Sequence, residues 1–358
     1  MIGVPGRPFR TLVEYTRGGI VESLHAGAIA IVDAHGRLVA SCGDPSLVTF
    51  MRSSAKPFQT LPLIESGAAE AFALPPREVA FTCGSHLGLD MHAETAASLQ
   101  ARIGASERDL LCGTHEVPDP ATARRLVLAG QAPGPNRHNC SGKHSGMLVQ
   151  ARHRDLPLAD YVNPQHPVQQ TILATFAEIC GLSPAQVVVG VDGCSAPNFA
   201  VPLLNAALAF ARLADPSSLP PRRANALRTV FYAMTAYPEM VRGPGGFDTE
   251  VMRRRPGLLV SKGGAEGYQG MGIVPGALRP NSPALGVAFK IADGAARAAP
   301  IVALEVLRQL GLLGEADFDA LAEFDFAPRE TLHNFRGLVV GEARPAFTLD
   351  FSGSSHEN

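Results

Sequence analysis

Residues 27–42 read GAIAIVDAHGRLVASC, and the fold turns on them. Gly27 to Asp33 is an apolar, β-prone run and Arg37 to Cys42 is a second one. The Asp33-Ala34-His35-Gly36 segment between them has turn chemistry, so the pair predicts a β-hairpin. Working outward, Thr11 to Tyr15 predicts a strand before the hairpin, and Gly257 to Val260 and Leu285 to Ile291 predict strands far downstream. Helical patterns fill the middle: Lys56 to Ser66, Asp90 to Arg102, Pro120 to Ala129, Ser145 to Arg152, Pro167 to Cys180 and Pro197 to Ala214. Val187 to Val191 is a short apolar strand, and Ala298 to Leu310 an amphipathic helix. Strands early and late with helices between predict an α+β fold with a mixed or antiparallel sheet flanked by helices. The Pro-, Gly- and Asn-rich segment 131–139 is the expected boundary between two lobes of a single catalytic chain.

Composition narrows the function. A chain of 358 residues, 46% hydrophobic and 18% charged, can bury a large core, which excludes disorder and a small disulfide-stapled scaffold. A net charge of −2 without long charge blocks gives no reason to expect nucleic acid or a membrane surface as partner. The apolar stretch from Phe199 to Ala214 is interrupted by Pro202, Asn205 and Arg212, and the first residues carry no apolar signal core, so the expectation is a chain without a signal peptide or spanning helix. Six scattered cysteines, none in a CxxC pair, suit a reducing cytoplasm.

Among 31 basic residues only four are lysine: Lys56, Lys143, Lys262 and Lys290. Arginine stays charged, whereas a buried lysine can lose its proton and act as base or ligand. Three of these four sit in Ser-, Gly- or Cys-rich segments, while Lys290 lies in an alternating strand and reads as structural. Ser53 and Lys56 form an S-x-x-K pair at a helix start, on one face of the helix. Bringing such a lysine from ~10.4 to ~7.5 requires roughly 4 kcal/mol from burial or nearby cations. Ser85, in Cys83-Gly84-Ser85-His86, is expected on a strand-to-helix turn after the Glu78 to Thr82 run. Cys140, Lys143 and His144 fall within five residues, and with Cys194 could complete a soft metal site, most plausibly for zinc. The same Gly142-Lys143-His144 stretch lacks the glycine spacing and the hydroxyl of a phosphate loop. Lys262 leaves a strand into glycines, a partial match to the Lys-Thr-Gly strand of serine acylases.

These blocks, RSSAKPFQ at 52–59, CGSH at 83–86, HNCSGKHSGM at 138–147, VDGCSAPNF at 191–199 and SKGGAEG at 261–267, resemble the Rhizobium-type L-asparaginase II family, in family order. The resemblance implies a fold similar to serine β-lactamases and glutaminases, a homodimer, and hydrolysis of L-asparagine to L-aspartate and ammonia. It implies two Ser-Lys tandems, Ser53 with Lys56 and Ser85 with Lys262, and a zinc site of Cys140, Lys143 and Cys194 that positions rather than attacks. Arg52, Asp192 and His144 are the expected substrate contacts; by charge, Arg52 would bind a carboxylate or depress the lysine pKa, and Asp192 would bind the α-amine. The chain departs from the best-studied branch in having no cysteine between Asp248 and Gly257. Alternatives in the same chemical neighbourhood are a glutaminase or a β-lactam acylase; a non-catalytic amino-acid sensor keeping the fold is an alternative of another class.

Overall fold

The structure is a computed structural model that describes residues 8–352. The chain divides into two compact units, one formed by Met1–Met51, Val201–Asp215 and Gly263–Asn358, the other by Arg52–Ala200 and Pro216–Lys262.

The first unit is built on the 14-residue strand Ile20–Asp33, which forms the hairpin with Leu38–Cys42 that residues 27–42 predict. Along one edge this strand pairs first with Arg10–Arg17 and then with Leu38–Cys42; along the other it pairs with Leu285–Ile291, Ile29 lying opposite Phe289. Tyr268–Ile273 extends the sheet beyond Leu285–Ile291, and Val339–Pro345 and Glu330–His333 extend it beyond Arg10–Arg17. Every one of these pairings is antiparallel. Ala28 to Val32 are buried without alternation, because both faces of the strand are covered and the run needs no polar side. Helix Leu203–Ala214 packs on the Ile20–Asp33, Tyr268–Ile273 and Leu285–Ile291 strands, and Ala299–Gln309 on Arg10–Arg17, Tyr268–Ile273 and Val339–Pro345. Gly286 permits the first contact: a Cβ there would overlap the Ala207 carbonyl. Lys290, as its alternating strand suggests, is structural, its Nζ donating to the Glu266 carbonyl at 2.6 Å.

The second unit is mainly helical. Pro57, Pro76, Pro120, Pro167 and Pro221 each occupy the first turn of a helix, where the missing N–H is no loss. Lys56–Glu65 continues past Pro62 and ends three residues later. Its core includes Phe58, Phe176 and Phe199, with ring centroids 6.4 Å apart for the first two and 4.6 Å for the last two. Residues 131–139 lie inside this unit, where Pro135–Arg137 form a 3-10 turn.

Two local expectations differ from the structure. Residues preceding Ser85 form the helix Pro76–Thr82 instead of a strand, so Ser85 sits in a loop between helices. Residues 197–214 are not one helix: Pro197–Pro202 is a strand, its residues through Ala200 pairing with Val188–Val191, and the helix begins at Leu203. No helix among the described residues is long and apolar enough to cross a membrane.

Candidate active site

The sequence-predicted site residues all fall within the second unit. Arg52 opens the 3-10 turn Arg52–Ala55 that feeds helix Lys56–Glu65, and it does so at φ 51, a left-handed conformation that a non-glycine residue adopts only when its surroundings hold it. The holding groups are Asn198, whose Oδ1 accepts from the Arg52 N–H at 3.1 Å, and Asp192, whose Oδ1 accepts from Arg52 Nε at 2.8 Å. The next residue, Ser53, is half-buried and its hydroxyl has no hydrogen-bond partner among the described residues. Ser54 points the other way, donating from a fully buried hydroxyl to the Lys262 carbonyl at 2.6 Å, which ties the Ser53 turn to the Lys262 strand.

Lys56 is 1% exposed. Its Nζ donates to Ser85 Oγ at 2.8 Å and to the Gly84 carbonyl at 2.6 Å, with the Asn139 carbonyl at 3.4 Å. The spacing of Ser53 and Lys56 predicts a pair within one turn; the structure instead joins Lys56 to Ser85, and no hydrogen bond links Ser53 to Lys56. The reason is burial: an amine that far from water needs polar partners, and the Gly84-Ser85 loop supplies two oxygens. That loop is pinned by the Ser85 N–H, which donates to the Val241 carbonyl at 2.7 Å, and by Arg242 Nη1, which donates to the Ser85 carbonyl at 3.0 Å. Lys262 is fully buried. Burial pulls its amine down to about 7; Asp248 opposes this, and the charges of Lys56 and Arg242 add to it.

Cys140, Lys143 and Cys194 meet as the spacing suggests, with Lys143 Nζ donating to Cys194 Sγ at 3.0 Å. Gly142 lets the start of helix Ser141–His153 reach this position, since a Cβ there would overlap the Phe81 carbonyl. Cys194 is held toward thiolate by a hydrogen bond from Cys140 and by Lys143, whereas Cys140 is pushed up by the same bond and by burial. Burial pulls the Lys143 amine down, but the two facing thiols push harder and the net direction is up. Among the described residues, no three His, Cys, Asp or Glu side chains gather to hold a metal. A ligand set here therefore depends on the lysine as third donor beside two thiols. Thiolate sulfur and amine nitrogen are donor types that suit a soft divalent cation such as zinc.

His144, expected at the substrate, is fully buried beside this cluster. Its Nδ1 lies 2.6 Å from the Tyr161 hydroxyl, which itself accepts from the Leu111 N–H at 2.9 Å. Either of the two can donate in the His144–Tyr161 bond, depending on the imidazole tautomer. Burial lowers this imidazole to about 4, so it stays neutral. Arg52 and Asp192, expected to bind opposite ends of a substrate, are paired with each other, their side chains 28% and 10% exposed. Asn198, Tyr161 and Asp248 were not singled out by sequence; each is a polar residue whose partner lies far away along the chain, and no local pattern marks it.

The L-asparaginase II family model matches residues 13–345. No curated protein matches the sequence. Similar solved structures include the probable glutaminase of Bacillus subtilis, at 13% identity over 80% of this chain and 88% of that one, with a TM-score of 0.38. A Bacillus glutaminase in the presence of 4.3 M NaCl is 13% identical over 80% and 91%, with a TM-score of 0.39. Mglu in its native form is 15% identical over 80% and 65%, with a TM-score of 0.37. The matched segment contains all the serines, lysines and cysteines gathered above, and the chain belongs to the L-asparaginase II family and is an amidohydrolase.

Proposed function

We propose that the chain hydrolyses the side-chain amide of L-asparagine to L-aspartate and ammonia, with Ser53 as nucleophile. The observation that carries this reading is the buried Lys56–Ser85 contact, which commits one serine to an amine and leaves the Ser53 hydroxyl, one turn away on the half-buried side, without a protein acceptor. Lys56 Nζ is engaged by three oxygens, whereas Lys262 is the amine that burial pulls down to about 7. The Ser53–Lys56 spacing suggests Lys56 as the base, but its amine is engaged by Ser85 and two carbonyls, so in this proposal Lys262 takes the Ser53 proton as Oγ adds to the carboxamide carbon. The C–N bond then breaks, the leaving nitrogen takes a proton relayed through Ser85 and Lys56, and ammonia departs from an ester on Ser53. Water adds to that ester with a buried amine as base, releasing aspartate and restoring the hydroxyl.

The Arg52–Asp192 pair supports an α-amino acid as the substrate. An α-amino acid carries a carboxylate and an ammonium, so it can exchange with both partners of the pair and leave neither charge unmatched. We assign zinc to Cys140, Lys143 and Cys194, where it would supply a fixed positive charge beside the site. The deciding experiment measures ammonia release from L-asparagine and L-glutamine by wild type, Ser53→Ala and Ser85→Ala. Undiminished turnover by Ser53→Ala removes it as nucleophile, and faster release from glutamine replaces the substrate.

A further inference from the structure

Asp248 has no part in the chemistry above, yet its carboxylate is buried. It lies in the first turn of Phe247–Arg254, only 3% exposed, and an uncompensated carboxylate there would cost several kcal/mol. Its Oδ1 accepts from the fully buried Ser261 hydroxyl at 2.7 Å. Ser261 immediately precedes Lys262, so this bond fixes the backbone from which the amine projects. The charged and titratable groups acting on Lys262 come from four elements: Asp248 from Phe247–Arg254, Lys56 from Lys56–Glu65, Arg242 after Pro238–Val241, and Cys140 before Ser141–His153. Two of these are cations and Cys140 is held as a thiol, so of the four only Asp248 brings a carboxylate.

We propose that Asp248 is the positioning residue for Lys262, anchoring its strand through the Ser261 hydroxyl and supplying the counter-charge that sets when the amine gives up its proton. Burial and the neighbouring cations Lys56 and Arg242 all pull the Lys262 amine down, and the Asp248 carboxylate opposes them. Asp248 thereby keeps the Lys262 amine able to take up and release a proton near neutral pH, where burial alone would hold it deprotonated.

The test uses the chain's four lysines, few enough that each ε-carbon gives its own NMR signal in protein labelled with [ε-13C]lysine. Loss of one signal in Lys262→Met assigns it. In Asp248→Asn the Lys262 titration midpoint is expected to fall by about one pH unit or more, and in Asp248→Glu to return toward the wild-type value. A folded Asp248→Asn protein with an unmoved midpoint overturns the proposal. Should that variant not fold, the wild-type Asp248 carboxyl carbon must show a titration step at the Lys262 midpoint, and its absence overturns the proposal equally. The catalytic part rests on the amide-hydrolysis reading, and the acid limb of kcat/KM for ammonia release should move with the midpoint. A midpoint that moves while the limb stays put supports the role of Asp248 and removes Lys262 as the base.

Discussion

Replacing Lys262 with Met should stabilise the protein, and more so in acid than in base. An amine falling from 10.5 to about 7 on folding is held in a place that penalises its charge. The sign follows from proton counts: between pH 7 and 10.5 the unfolded chain keeps a proton that the folded chain has released, so stability rises with pH across that window. Below pH 7 both states carry the proton and the full penalty applies, roughly 5 kcal/mol at about 1.4 kcal/mol per tenfold change in proton affinity. At pH 9 the penalty has shrunk to roughly 2 kcal/mol. Met removes the charge and nearly preserves volume. It also strips Asp248 of an opposing charge, so the reading is taken from the difference between two pH values and not from either gain alone. The assay is urea unfolding of wild type and Lys262→Met at pH 6 and pH 9. The stability gain at pH 6 should exceed that at pH 9 by roughly 3 kcal/mol. Equal gains, or a larger one at pH 9, would refute a depressed amine at this position.

Three other outcomes follow from the same geometry. If neutral Lys262 is the base, kcat/KM should rise about tenfold between pH 6 and pH 8, as its neutral fraction goes from about one-eleventh to about ten-elevenths; a flat ammonia-release profile contradicts this. Gly142→Ala drives a Cβ into the Phe81 carbonyl and should cost about 1 to 3 kcal/mol by chemical unfolding, with loss of metal uptake because the Lys143 turn is displaced. Cys194→Ser replaces the thiolate facing Lys143, so zinc per chain, measured by atomic emission after dialysis, should fall well below that of wild type.

The hairpin at residues 27–42, the helix Asp90–Arg102 and the strand Leu285–Ile291 were legible because local pattern and tertiary burial agree there. Pro76–Thr82 was not, since seven residues are too few to reveal a helical period and an apolar run of that length reads equally well as a strand. Pro197–Pro202 was read as helix because pairing with Val188–Val191, a non-local contact, overrides the local preference. In the site, the scarcity of lysine and the S-x-x-K spacing drew attention to Ser53, Lys56, Lys143 and Lys262, while the family resemblance supplied the roles of Ser85 and of the Cys140–Lys143–Cys194 group. Which serine hydrogen-bonds which lysine depends on how the Gly84-Ser85 loop folds over helix Lys56–Glu65, a non-local contact that a spacing of three along the helix does not reveal. Asp248 looked like an ordinary acidic residue in a helical first turn, because its bond to Ser261 crosses 13 residues.

Burial of three lysines leaves the outside of this protein almost devoid of primary amines. Lys56, Lys143 and Lys262 are at most 4% exposed, and Lys290 is itself half-buried with its ammonium engaged by backbone carbonyls. Reagents directed at side-chain amines, whether dyes, polymer conjugates or bifunctional cross-linkers, will find little to react with on the folded chain, and heavy labelling would report unfolding. Immobilisation or conjugation of this enzyme therefore has to be planned around carboxylates or an introduced cysteine.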